Sequence, residues 1–195
     1  MKRLFDIVFS LSFLLLLLPV FLVLALLIAA TSSGGPFFAQ VRVGKEGREF
    51  RLLKFRTMRQ GSEAKGQITV GARDPRVTAI GRVLRKTKCD ELPQLINVLL
   101  GEMSVVGPRP EVPKYVALYT AAQRRVLSVR PGLTGPASLQ YIDENALLGS
   151  SPDPERTYIE EVMPAKLAID LRYLEQRSFA LDLRMIASTA LGLFR

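Results

Sequence analysis

Asp90 and Glu91 are adjacent carboxylates that open a short apolar helical run within CDELPQLINVLLGEMSVVGPRPE, residues 89–111. The run ends at Gly101, and a rigid Pro108-Arg109-Pro110 turn follows Val105-Val106-Gly107. Acids at a helix start, with a guanidinium on a stiffened backbone about twenty residues on, suit phosphate or metal–phosphate chemistry. Neighbouring residues do not share a helix face, so the two carboxylates point in different directions. That geometry suits a division of labour, in which one group attacks or binds a metal and the other orients it. Helix capping is the plain alternative, because free N–H groups and the helix dipole favour acids there whatever their function.

Candidate cations surround this pair in sequence. Arg82, Arg85, Lys86 and Lys88 precede it, and the three-residue spacings of Arg82 with Arg85 and of Arg85 with Lys88 allow a shared face. Arg109 loses little freedom on gripping a diphosphate, because flanking prolines hold its backbone. Lys54 and Arg56, with the Thr57 hydroxyl, end a predicted strand, where charge also serves simply to protect a sheet edge. Arg130 and Thr134 sit in Arg130-Pro131-Gly132-Leu133-Thr134-Gly135-Pro136. Its glycines and prolines argue first for a turn and second for close backbone approach to a ligand.

Composition narrows the chemistry. The 195 residues include no histidine, so no Ser-His-Asp triad, Cys-His dyad or His-ligated zinc site can form. The single cysteine, Cys89, rules out an intramolecular disulfide and fits a reducing compartment. Asp, Glu, Lys, Arg, Tyr and hydroxyls remain, with a hard cation such as Mg²⁺ as the matching metal. An excess of 27 Lys and Arg over 18 Asp and Glu favours an anionic partner: nucleic acid, an anionic lipid surface or a phosphorylated substrate.

The N-terminus tips that choice toward the membrane. Residues 7–41 carry no charge, and 7–30 are almost wholly apolar. As helix, that apolar stretch would reach roughly 36 Å, enough for a hydrocarbon core of about 30 Å. Pro19 near its middle removes a backbone donor and forces a kink. Lys2 and Arg3 precede the segment, while Arg42, Lys45, Arg48, Arg51, Lys54, Arg56 and Arg59 follow it. If positive flanks stay cytoplasmic, both ends prefer one side, which a helix dipping in and returning satisfies. A kinked spanning helix is the alternative that physics alone leaves open.

Further along, residues 37–42 and 49–55 read as the strands of a hairpin turned at Gly44-Lys45-Glu46-Gly47. Residues 59–71 read as a polar, Gly-rich surface loop. Helices are predicted from Asp74-Pro75-Arg76 to about Lys86, through Leu92–Leu100, over 111–126, over 154–176 with an interruption near Pro164, and over 179–194. The last is amphipathic, with Asp182, Arg184 and Arg195 as its charges, and suits either a core or a bilayer surface. The fold class is mainly α with a small β-hairpin (α+β), in one compact unit after the apolar segment.

In order along the chain, KFRTM, DPRVTAIGRVLRKTKCDELPQLINVLLGEMSVVGPRPE and RPGLTGPASLQY, after an N-terminal apolar helix, resemble the monotopic phosphoglycosyl transferases, in their minimal catalytic form. The likeness runs over most of the sequence. It implies a re-entrant membrane helix in residues 1–36, kinked at Pro19, and a catalytic domain in 37–195 on the cytoplasmic face of the bacterial inner membrane, with interfacial amphipathic helices. It implies a UDP-sugar donor, undecaprenyl phosphate as acceptor, inner-membrane lipids as surroundings and Mg²⁺ as cofactor. Nucleic acid is not among the implied partners, and a homodimer is left open. By the same resemblance Asp90 is the nucleophile and a metal ligand, and Glu91 completes the dyad, also at the metal, assisting its placement or the handling of a proton. Lys54, Arg85 and Arg109 match phosphate-holding positions, with Arg56, Thr57, Arg130 and Thr134 as further candidates. Two departures stand out: Leu18 precedes the kink proline where members often carry Ser, and Pro136-Ala137-Ser138 replaces a common Trp-Ala-Gln. These mark a different subgroup. A membrane-tethered basic adaptor, or a hydrolase of polyprenyl diphosphates, are the competing readings.

Overall fold

The computed structural model of the chain describes residues 1–62 and 74–192. The expected polar loop over 59–71 lies outside the described residues except for 59–62, as do Leu193, Phe194 and Arg195 of the last predicted helix.

Two apolar helices come first, α1 (Lys2–Leu16) and α2 (Leu18–Thr31), meeting at Leu17 with a bend of 63°. Pro19 lies in the first turn of α2, where its missing N–H and its ring interrupt the ladder and place the break just before it. Among the described residues no single helix is long and apolar enough to cross a membrane. Leu15, Leu16, Leu18, Leu22, Val23 and Leu26 near the bend are exposed.

Both ends of this pair bear on the same globular body. Arg3 donates to the Val98 and Leu99 carbonyls at 2.6 and 2.8 Å, neutralising the C-terminal end of a helix of that body. The buried Asp6 carboxylate accepts the Ser104 hydroxyl at 3.1 Å and the Val105 N–H at 3.0 Å. Lys2 donates to the Val106 carbonyl at 3.0 Å and pairs with Asp182. At the other end, Phe21 and Ile28 of α2 pack on Phe55 and Leu84.

The hairpin forms as expected, with β1 (Phe37–Val43) antiparallel to β2 (Glu49–Phe55) and Phe37 opposite Phe55. Its turn uses left-handed backbone at Glu46 and Gly47. Helix α3 (Ala79–Lys86) starts later than the sequence suggests, because the Thr78 hydroxyl takes the Gly81 N–H at 3.0 Å and sets the cap there. A 3₁₀ turn (Cys89–Glu91) leads into α4 (Gln94–Leu100), which Gly101 ends at φ 89°.

A second sheet was not foreseen. Strand β3 (Ser104–Val106) runs parallel to β4 (Gly132–Thr134), with Ser104 opposite Gly132 and Val106 opposite Thr134. A Cβ at position 132 would sit 2.1 Å from the Gly107 nitrogen. The close approach read from Arg130-Pro131-Gly132 is therefore to the chain's own backbone.

The single helix expected over 111–126 is replaced by a short α5 (Pro113–Val116) and a 3₁₀ segment (Gln123–Ser128). Thr120 and Gln123 explain the break: the Thr120 N–H donates to Gln123 Oε1 at 2.9 Å, and the Gln123 N–H to Thr120 Oγ1 at 3.3 Å. That reciprocal pair is a capping box, which starts a new turn. After α6 (Pro136–Gln140) and α7 (Glu144–Gly149), α8 (Pro154–Thr157) passes through a π turn (Tyr158–Val162) into α9 (Met163–Gln176). The interruption expected near Pro164 takes this form, since proline cannot donate to the carbonyl four residues back. In α10 (Phe179–Gly192), Asp182 is buried against Lys2 and the Tyr173 hydroxyl, not on the solvent face.

Candidate active site

The acidic pair is delivered by a backbone reversal. Lys88 adopts left-handed φ 57°, a conformation that costs a residue with a side chain roughly 1–2 kcal/mol, and the 3₁₀ turn follows at once. The reversal turns the chain out of α3 and buries Asp90, which is 6% exposed. Strand β2 is seated beside it by Asn97 of α4: its amide Nδ2 donates to the Arg51 carbonyl at 2.8 Å, and its Oδ1 accepts the Leu53 N–H at 3.0 Å. Lys54, the next residue, is thereby placed over Glu91.

Glu91 is locked. Its Oε1 accepts Lys54 Nζ at 3.1 Å, and Arg109 forks onto both oxygens, with Nη1 at 3.2 Å from Oε2 and Nη2 on Oε1. Burial opposes the charge on Glu91, yet Arg109 and then Lys54 outweigh it and hold the carboxyl well below its ordinary range. Lys54 is pushed down by burial, with Glu91 working against that shift.

Asp90 is the opposite case. Among the described residues no hydrogen bond engages its carboxylate. Burial raises its pKa and the neighbouring Glu91 adds to that, only partly offset by Lys54, Arg85 and Arg109. One carboxylate is thus committed to a cationic clamp, while the other stands uncommitted among the same cations.

The sequence candidates divide accordingly. Asp90, Glu91, Lys54, Arg85 and Arg109 come together. Thr57 is buried and its Oγ1 accepts Arg85 Nε at 2.9 Å, so it holds that guanidinium in place. Arg82, Lys86 and Lys88 are exposed, leaving Arg85 as the member of that basic run turned toward the acids. Arg56 donates to the Gly35 and Phe37 carbonyls, both at 2.9 Å, and pins the chain between α2 and β1. Arg130 is exposed and donates to the Gly101 carbonyl at 2.7 Å. The Thr134 hydroxyl shares a 2.6 Å hydrogen bond with that of Thr189. These three are engaged away from the acidic pair. Residues that sequence reasoning missed are Asn97, whose one signal is a polar amide inside an apolar stripe, and a trio behind the Pro108-Arg109-Pro110 turn, half-buried Arg42 and Glu111 with buried Tyr158.

An uncommitted carboxylate ringed by a lysine and two arginines can attack, or hold through a metal, an electron-poor phosphorus whose oxygens the cations neutralise. Comparison with known proteins finds relatives that are sugar transferases by name. A family model described as bacterial sugar transferase matches residues 1–195. The chain is 38% identical over 190 residues to the uncharacterized sugar transferase EpsL of Bacillus subtilis (strain 168), covering 97% of this chain and 85% of that protein. It is 36% identical over 199 residues to the UDP-glucose:undecaprenyl-phosphate glucose-1-phosphate transferase of Caulobacter vibrioides, covering 96% of this chain and 67% of that protein. With the UDP-N-acetylgalactosamine-undecaprenyl-phosphate N-acetylgalactosaminephosphotransferase of Aeromonas hydrophila it shares 37% identity over 193 residues, covering 96% of this chain and 42% of that protein. A family model matched along the whole sequence, and relatives of this identity over nearly all of it, place the chain in the bacterial sugar transferase family.

Proposed function

We propose that the protein transfers a sugar 1-phosphate from a UDP-sugar to undecaprenyl phosphate through a covalent phosphosugar on Asp90. An Asp90 oxygen attacks the sugar-bearing phosphorus, the bond from that phosphorus to the bridging oxygen breaks, and UMP leaves with that oxygen. An oxygen of the polyprenyl phosphate then attacks the same phosphorus, and the acyl-phosphate bond breaks to restore Asp90. Arg109, Lys54 and Arg85 neutralise the phosphate oxygens through both steps. Glu91 keeps Arg109 and Lys54 charged and in place. The observation that carries this reading is the contrast between the clamped Glu91 and the uncommitted Asp90.

The donor set fits Mg²⁺. Among the described residues no cluster of three or more acidic or sulfur ligands forms a cage, and magnesium is commonly held by one or two carboxylates plus substrate phosphates. Asp90 offers its carboxylate, and Glu91 Oε2, which accepts a single hydrogen bond, keeps an acceptor position. When bound, the ion would screen the charge of the diphosphate.

Donor alone decides the covalent step. With UDP-sugar labelled at the sugar-bearing phosphate and no acceptor, one phosphosugar should attach per chain, with an equal amount of UMP released. Transfer to acceptor without any such burst would indicate direct displacement.

The α1–α2 pair supports a re-entrant hairpin at the inner membrane, with the body on the cytoplasmic face. Its ends rest on one body through Arg3, Asp6 and Ile28, and exposed apolar side chains run along both helices, Leu15, Leu16 and Leu18 at the bend among them. A cysteine introduced at Met1 should react with impermeant maleimide only after the cells are opened. Labelling in intact cells would overturn the hairpin.

A further inference from the structure

Prolines at 108 and 110 leave the Arg109 turn without backbone donors on either side of the arginine. The turn is held instead through its carbonyls. Pro108 accepts the Gly132 N–H at 2.8 Å, and Pro110 accepts Arg42 Nη1 at 3.0 Å. The same Arg42 nitrogen reaches Glu111 Oε1 at 3.1 Å, while Nε and Nη2 take Gln40 Oε1 at 3.2 and 2.8 Å. Glu111 is braced in turn: Oε1 accepts the Val112 N–H at 2.7 Å, and Oε2 accepts the Tyr158 hydroxyl. The Tyr158 ring packs on Tyr115, with centroids 4.9 Å apart.

Arg42 is a costly way to hold a turn. Burial works against its charge, and Glu111 offsets part of that penalty. Arg42 and Glu111 each keep 16% of the side chain exposed; well-packed apolar side chains often replace a pair so far desolvated at no loss of stability, so fold maintenance alone gives little reason for one here. Its planar fork meets three acceptors at once, which a lysine cannot do.

We propose that Arg42 is a positioning residue for the transfer reaction: gripping the Pro110 carbonyl, and braced by Glu111 and Tyr158, it sets where the Arg109 guanidinium stands over Glu91. The inference deepens the transferase reading and rests on it. It makes catalysis depend on a hydroxyl of the π turn that has no hydrogen bond to either acid of the pair.

A double-mutant cycle tests it. Arg42→Lys and Tyr158→Phe are made in the full-length chain in lipid nanodiscs, alone and combined with Arg109→Lys. Covalent labelling rates are read with UDP-glucose and UDP-N-acetylgalactosamine as probes. Each substitution should slow labelling about tenfold in the native background and less than about twofold in the Arg109→Lys background, because coupled residues do not act additively. Equal losses in both backgrounds, or no loss in either, would overturn the proposal. Tyr158→Phe removes one oxygen and keeps the ring, so it carries the cycle if Arg42→Lys does not fold. A second readout needs no substrate: the ¹⁵Nε–H resonance of Arg109 in the ligand-free protein should shift and exchange faster in Tyr158→Phe. An unchanged resonance overturns the positioning role. A native protein that labels with neither probe counts against the transferase reading alone, and the resonance still decides the role of Arg42.

Discussion

Asp90→Asn should abolish covalent labelling and UMP release, by at least about a thousandfold, while leaving the protein as stable as the native chain or more so. The loss follows from replacing the attacking oxygen pair with an amide that forms no acyl phosphate. The stability gain follows from the environment of this carboxylate. Burial, and then the charge on Glu91, make its ionised form more costly in the folded chain than in the unfolded one. A raised folded pKa means that this cost is absent below the ordinary Asp value and grows as pH rises toward the folded value. Asparagine removes it, so the melting temperature at neutral pH should hold or rise. Asp90→Ala, which cannot revert by deamidation, should behave alike in catalysis. Transfer at the native rate in either variant would end the nucleophile assignment, and a large fall in melting temperature would show that Asp90 serves the fold.

Glu91→Ala should do the reverse and cost about 1–3 kcal/mol, because removing one partner leaves the half-buried Lys54 and Arg109 without their charge-assisted hydrogen bonds. Activity should fall with it as Arg109 loses its fork. The pH profile gives an independent check. The Glu91 carboxyl is held well below its ordinary value, so its stabilisation is fully present above the unfolded Glu pKa and is lost as pH falls through the depressed folded value. Native protein should therefore lose stability steeply in acid, and Glu91→Ala should show a shallower slope from a lower starting point. Thermal melts between about pH 7 and pH 3 measure both. Parallel slopes would mean that the clamp contributes nothing to folding.

The two carboxylates are neighbours, and nothing in their local sequence distinguishes the clamped one from the uncommitted one. The order of acids, proline-flanked arginine and apolar N-terminus did carry the family and the class of chemistry. The hairpin was legible because period-two patterning and a Gly-bounded turn are local signals. The helix over 111–126 was misread because apolar periodicity outweighed a capping box formed by Thr120 and Gln123. Sheet β3–β4 was missed because three-residue parallel strands carry almost no local signature, and the close Gly107–Gly132 approach that permits them lies between distant segments.

Sequence by itself determined which groups are available: no imidazole, one thiol, two adjacent acids, several cations and an apolar helix broken at a proline. Which cation meets which acid was decided by the tertiary structure alone. Arg85 turns inward while Arg82 and Lys86 face solvent. Asp170, ordinary in its helix, is driven by burial to about 7. Arg130 and Thr134, attractive in the motif, spend their polar atoms on Gly101 and Thr189. The physical reason is common to all of these. A side chain's charge and reach are properties of its residue, but its desolvation and its partners depend on segments far away in the chain.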